Sequence, residues 1–266
     1  MNMTRLSVLA GKRALVFGGG GSIGGAVARE FGAQGANVFL SGRSLAPVEA
    51  VAEEIAAGGG TAHAEVVDAL DPGAVGEYIA GVVQAEGGID IAFNAIGPRI
   101  SEYRNGMPAL EISPNEFMVP FSTVLRSQFV TAIAAARQMV KQRSGVVIFL
   151  TGSPARPHGG GTAAISAAFG AVEVLMRALA IELGPAGVRA VCVRTAANSD
   201  SRTVSDIAQS AGMALEQVRQ NLAAMTMIGA SPTTADTASV AAFLASAPAH
   251  MLTGTVVNAS AGAVED

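Results

Sequence analysis

The sequence predicts a doubly wound α/β fold, a single domain (1–266) with a seven-stranded parallel sheet flanked by helices, and three observations predict it. Short apolar runs alternate with longer stretches of helical spacing along the whole chain. The runs are continuous and rich in Val, Ile and Ala, as expected of strands buried on both faces. A glycine-rich turn separates the first run from the first helical stretch. Half of the 266 residues are hydrophobic and only 14% are charged, so there is enough apolar surface to bury a large sheet.

The predicted elements follow in order. Strands are expected at 14–17, 37–41, 62–67, 89–94, 146–151, 188–194 and 255–258, each an apolar run of strand length. Helices are expected between them at 22–34, 46–57, 72–86, 114–142, 162–183 and 234–245. Right-handed crossovers join parallel strands of this kind into a doubly wound sheet. The glycine triplets at 58–60 and 159–161 read as local breaks rather than linkers, and no repeat or domain boundary is evident.

Composition narrows the function. A net charge of −4, with 15 scattered arginines and no basic run, argues against nucleic acid, since neutralising phosphates needs clustered Lys and Arg. The single cysteine, Cys192, lies in an apolar run, which argues for an inert thiol and against disulfides or a cysteine-based metal site. No signal-like segment and no apolar stretch of about 20 residues is found, so no membrane partner and a cytoplasmic, soluble protein are expected.

The first strand runs directly into Phe17-Gly18-Gly19-Gly20-Gly21-Ser22-Ile23-Gly24, and a helix follows. Glycines here let the backbone turn tightly and approach a pyrophosphate, which then sits on amides of the helix N-terminus. A glycine-rich loop alone is weak evidence; one placed between first strand and first helix indicates a dinucleotide site. The second strand ends at Ser41-Gly42-Arg43-Ser44. An acid there would hold the ribose 2′-hydroxyl of NAD, whereas an arginine suits the 2′-phosphate of NADP. No acid is present and Arg43 is, so NADP(H) is favoured over NAD(H).

These residues resemble the short-chain dehydrogenase/reductase family, over essentially the full chain. The family's Thr-Gly-x3-Gly-Ile-Gly loop matches Phe17, Gly18, Ser22, Ile23 and Gly24, with its first and middle positions substituted. Its adenine-contacting Asp matches Asp68, followed by Ala69, and its Asn-Asn-Ala-Gly turn matches Asn94-Ala95-Ile96-Gly97. Leu252-Thr253-Gly254-Thr255 resembles the turn before the last strand. The resemblance implies a nicotinamide-dependent oxidoreductase whose tyrosine exchanges the proton, aided by a lysine, a serine and an asparagine.

At this point the chain departs from the family. Aligning Ala163-Ala164-Ile165-Ser166-Ala167-Ala168-Phe169-Gly170 with Ala-Ala-Tyr-Ser-Ala-Ser-Lys-Ala puts Ile165 at the tyrosine and Phe169 at the lysine. The serine position falls on Gly152, with Ser153 one residue away, and the asparagine position on Val124. The family's Pro-Gly after the sixth strand is Thr195-Ala196. The chain holds two lysines and two tyrosines, none in Tyr-x3-Lys spacing, so the usual proton relay is excluded. Substitutes with a titratable or polar group are His158, in the loop after the fifth strand, Tyr103, after the fourth, and Ser153. Each also reads as an ordinary loop, lid or turn residue.

Arg194, at the end of the sixth strand, is expected at the pocket rim, where it and Arg126 could clamp an anionic substrate. Arg126 and Gln128 are alternatively expected to face a partner subunit. Segment 195–232 is expected to form a substrate lid, with Met213, Met225 and Met227 packing over an apolar pocket. Three functions remain open: an NADP(H)-dependent oxidoreductase acting on a small-molecule carbonyl, enone or quinone; a non-redox cyclase, dehydratase or isomerase; and an inactive nucleotide- or metabolite-binding pseudoenzyme. A homodimer or homotetramer is expected from the resemblance and from the small-residue apolar helices around Phe129 and Phe169.

Overall fold

A computed structural model describes residues 7–157 and 159–266. Seven parallel strands form one sheet: β1 (Arg13–Phe17), β2 (Asn37–Gly42), β3 (Thr61–Val66), β4 (Ile91–Asn94), β5 (Gly145–Gly152), β6 (Val188–Thr195) and β7 (Val256–Ala259). Their order is β3-β2-β1-β4-β5-β6-β7. The chain therefore winds outward from β1 and then restarts at β4 on the other side. That reversal opens a crevice at the carboxyl ends of β1 and β4, where Phe17 pairs with Asn94.

Successive strand residues point to opposite faces, so each strand feeds two cores. Leu15, Phe17, Val147 and Phe149 pack on one face with Met139, Val172 and Met176. Val16, Phe93, Ile148 and Val193 pack on the other with Phe31, Ile55 and Leu244. The first face is covered by α3 (Pro72–Glu86), α5 (Arg126–Gln142) and α6 (Ala163–Leu183). The second is covered by α1 (Ser22–Ala33), α2 (Leu45–Ala57) and α9 (Thr234–Ala245).

The helix predicted over 114–142 is interrupted. It comprises α4 (Pro114–Pro120), a π-helical turn (Phe121–Leu125) and then α5. Pro120 supplies no N–H and its ring crowds the preceding turn, which favours a wider turn after it. Two hydroxyls bond back to the preceding turn: Ser122 donates to Met118 O at 3.0 Å and Thr123 to Val119 O at 2.7 Å. Val124 sits within this wide turn, 2% exposed.

Segment 195–232 is not simply a loop. It carries α7 (Arg202–Ala211) and α8 (Leu215–Ala224), which pack on each other through Val204, Ala208 and Val218. The methionines expected to pack inward here do not: Met213 and Met225 are exposed, and Met227 is 68% exposed beside Gly262.

Pro114–Gln142 and Ala163–Ala186 are long and apolar enough, by length and composition, to cross a membrane. Core helices of globular proteins pass the same test, and each of these carries charged residues (Glu116, Arg126 and Arg137; Glu173, Arg177 and Glu182), so neither is the uninterrupted apolar run whose absence was expected. Both lie on the sheet, and both keep large apolar side chains outward: Phe129 is 49% exposed and Ile181 78%.

Candidate active site

The nucleotide half of the site is made mostly of backbone. Gly18 turns the chain with φ +77°, and both Gly18 and Gly19 donate to the Ser41 carbonyl, tying the loop to the end of β2. A Cβ on Gly24 would lie 2.2 Å from the Gly18 oxygen, so only glycine lets α1 start this close under the loop. No side chain caps the first turn of α1, and Gly20, Gly21 and Ser22 are exposed, with Ile23 half-buried. The Gly21 N–H closes the loop on the Gly18 carbonyl at 3.0 Å. The N–H groups of Ser22 and Ile23, at the start of the helix, have no intrahelical acceptor and are open to a pyrophosphate.

Around the loop, Arg43 and Ser44 are exposed at the end of β2, and Arg43 has no ion pair among the described residues. Asp68 is exposed after β3; one oxygen accepts the Leu70 N–H at 3.0 Å, and Ala69 beside it is buried. Asn94 is interior. Its Nδ2 donates to Thr131 at 2.9 Å, its Oδ1 accepts the Ile96 N–H at 2.8 Å, and this fixes the Ala95-Ile96 turn against Gly18. A glycine cradle, open amides and a free cation at the β2 end together fit a dinucleotide.

The reaction half is apolar. Ile165 is 5% exposed on the first turn of α6, and Val124 is buried opposite. Phe169 lies one turn on, against Gly152: a Cβ at 152 would meet the Phe169 ring at 3.1 Å. The positions matched to the lysine and the serine are thus filled by one ring and one missing side chain. Beside them Ala109, Ile112, Pro114, Phe117, Met118 and Ala163 line an apolar hollow of about 470 Å³. Ser153 is half-buried after β5.

The loop after β5 meets the loop after β4 where the Gly106 N–H donates to the Gly161 carbonyl at 2.7 Å. Tyr103 lies in that second loop but is buried, and burial pushes its phenol up to about 12. At neutral pH it is a protonated phenol, with no hydrogen-bonded base among the described residues. His158 lies outside the described residues.

Three expectations are corrected. Arg194 is not at the pocket rim; it is fully buried and paired with Glu173, through Nε at 2.8 Å and Nη2 at 2.9 Å, and with Asp266. Thr195, the last residue of β6 and paired with Gly152, is buried as well, its hydroxyl bonded to Thr237 of α9 at 2.9 Å. Arg126 is exposed but donates to the Leu70 carbonyl at 3.1 Å, on the β3 side of the crevice, away from Ile165 and Phe169. Gln128 does not face outward; it is buried and donates to the carbonyls of Asn94 and Leu150, clasping the ends of β4 and β5. Cys192 is buried, and burial raises its thiol to about 12.

Sequence reading missed Glu173. Glu173 amid the apolar residues of mid-α6 and Arg194 directly after Val191-Cys192-Val193 in β6 were a signal: neither charge is tolerable inside without the other. It also missed the hydrogen bond from the Arg202 N–H to Ser22 Oγ, 3.1 Å, which joins residues 180 apart. Nothing local foretells that contact.

Sheet order, a glycine loop at the point of reversal and open helix amides define a dinucleotide-binding α/β fold. The family model described as Enoyl-(Acyl carrier protein) reductase matches residues 19–263, and the chain belongs to the short-chain dehydrogenase/reductase family. It is 30% identical to L-rhamnose 1-dehydrogenase (NAD(P)(+)) of Azotobacter vinelandii over 255 residues, 93% of this chain and 94% of that protein. It is also 30% identical to versicolorin reductase 1 of Aspergillus parasiticus over 264 residues, 96% and 97% of the two chains. A dehydrogenase/reductase from Sinorhizobium meliloti 1021 matches the fold at TM-score 0.82, with 27% identity and 98% of each chain covered. These relatives are oxidoreductases, and the family's cofactors are NAD(P) nucleotides.

Proposed function

We propose that the protein binds NADP(H) and transfers hydride to or from a small-molecule carbonyl, enone or quinone without a protein proton relay. The observation that carries this reading is the contrast within one crevice. The backbone cradle and Arg43 are in place, while Val124, Ile165 and Phe169 present no ionisable atom. Gly18, Ser22, Ile23 and Gly24 would hold the pyrophosphate, Asp68 and Ala69 the adenine, Arg43 and Ser44 the 2′-phosphate, and Asn94 to Ile96 the floor.

Bound there, the nucleotide supplies or accepts hydride, a two-electron transfer. The chain's own part is to orient the substrate and keep water away from it, which the apolar walls and the adjoining hollow favour. The anion left by a reduction is protonated by solvent once it leaves the apolar walls, so no protein group has to supply that proton. Substrates whose reduced anion is already stabilised by conjugation need least help, which favours enones and quinones over simple ketones.

The test is titration of NADPH and NADH by calorimetry, followed by NADPH oxidation against ketones, enones and quinones. Tighter binding of NADPH with turnover of a conjugated acceptor is expected. Binding without turnover of any class would leave the nucleotide-sensor reading, which the Phe169 ring seated on Gly152 favours. Failure to bind either nucleotide would remove both.

We also propose that a second copy covers the outward apolar faces of α5 and α6, where Phe129, Val174 and Ile181 are exposed. Light scattering at micromolar concentration should give at least twice the 26.6 kDa chain mass, and Phe129→Lys should lower it.

A further inference from the structure

Segment 195–232 is closed at its base. The Ser199 N–H donates to Pro232 O at 2.9 Å, and Asn198 Nδ2 donates to Thr233 O at 2.9 Å. Asp200 accepts both the Thr234 N–H and its hydroxyl at 2.8 Å. Above this base α7 and α8 share a small core of their own. Beyond the base the unit leans on the body through Ile207, which packs on the core under β5, and through Met227 against Gly262. It touches the nucleotide loop through the Arg202 N–H on Ser22 Oγ.

That hydrogen bond joins the starts of two helices. Ser22 is the first residue of α1 and Arg202 the first of α7. Neither helix has a side-chain cap, so the positive ends of two helix dipoles come to one place. In the first turn of α7 the Arg202 N–H is spent on Ser22 and the Val204 N–H on the Ser201 carbonyl, which leaves the Thr203 N–H without an acceptor among the described residues. The Arg202 guanidinium is exposed there and has no ion pair among the described residues. The acid closest to it in sequence, Asp200, is engaged with Thr234. Ser22 stands where the family loop has its middle glycine, so the hydroxyl that makes the bond is this chain's own.

We propose that Ser22 is a positioning residue: its hydroxyl seats α7 beside α1, so that the Thr203 N–H and the Arg202 side chain complete the phosphate side of the nucleotide site from segment 195–232. This rests on the nucleotide reading above. The bond presets the lid, so less ordering remains when nucleotide arrives.

The experiment combines hydrogen exchange on the nucleotide-free protein with calorimetry using NADPH. Ser22→Ala should speed exchange across 202–224 several-fold and weaken NADPH about fivefold, the factor matching one net hydrogen bond of about 1 kcal/mol. Ser22→Thr, which keeps the hydroxyl, should restore both. Arg202→Pro removes the donor at a helix position and after an extended Ser201 that both accept proline. It should loosen the lid as Ser22→Ala does, with no additive effect on exchange in the double variant, and lose further affinity with its guanidinium. Arg202→Ala keeps the N–H, so it should weaken NADPH without loosening the lid. If wild type binds NADPH and Ser22→Ala changes neither exchange nor affinity, the positioning role is overturned alone. If wild type binds no NADPH, the nucleotide reading falls and takes the proposal with it.

Discussion

The two halves of the crevice differ in what they are made of. At the β1–β2 end the groups offered outward are backbone amides and a few exposed polar side chains: Gly20, Gly21, Ser22, Arg43, Ser44 and Asp68. At the β5–β6 end they are closed off: Val124 and Ile165 are buried, Phe169 lies on Gly152, and Arg194 of β6 is paired with Glu173 of α6. A site built from backbone geometry tolerates drift in side chains, because its donors are present whatever the residue. A site built from side-chain chemistry disappears with a few substitutions. The fold and its nucleotide cradle can therefore persist where a tyrosine–lysine relay does not.

The largest expected effect lies beneath the closed half. Arg194 is fully buried between Glu173 and Asp266, and Thr151 also donates to Glu173. Removing one member of a buried pair strands the other charge, which costs about 3–5 kcal/mol. Arg194→Met should lower the melting temperature by roughly 10 °C for a domain of this size. Arg194→Met with Glu173→Leu together should recover most of it, because two apolar residues replace the pair. Recovery would show that this half is organised as protein interior; equal losses in the single and double variants would mean the charges have further uses.

Gly24→Ala probes the open half. The added Cβ would meet the Gly18 carbonyl at 2.2 Å, so either α1 or the loop must shift. Overpacking of this kind costs about 2–3 kcal/mol, and any shift moves the amides that a pyrophosphate would use. Nucleotide binding should fall at least tenfold in calorimetry, well beyond any change in melting. Retained affinity would break the comparison, since the cradle would then not be the binding element.

Sequence reading recovered the sheet because buried parallel strands are written as continuous apolar runs, and it recovered the cradle because glycines with one geometric purpose stand together. It failed where the partner is far away or the pattern is weak. Arg194 reads as a polar strand end until Glu173, 21 residues earlier on another element, is brought beside it. The Ser22–Arg202 contact has no local trace. The π-helical turn was partly legible, since Pro120 inside a predicted helix is a warning, but a proline alone does not say whether the helix widens, kinks or ends there. The methionines of 195–232 were misjudged because packing there depends on which face is turned inward, and a short amphipathic segment does not declare that alone.

The smallest effect is the sharpest test of how the closed half is filled. Gly152 and Phe169 occupy positions that the family resemblance assigns to a serine and a lysine, and the ring sits where the Cβ of any residue at 152 would press on it, at 3.1 Å. Such a contact is tight but not forbidding, because Phe169 is only half-buried and its ring can yield. Gly152→Ser should therefore destabilise by about 1 kcal/mol in the presence of the ring. In a Phe169→Ala background the same change should be close to neutral, since the Cβ would have room. Thermal melts of the two singles and the double give the coupling directly. A coupling near 1 kcal/mol would mean that a serine cannot be regained here at no cost to stability until the ring is removed. Additive effects would mean that the missing serine and the missing lysine are independent losses, and that the closed half is merely apolar rather than fitted.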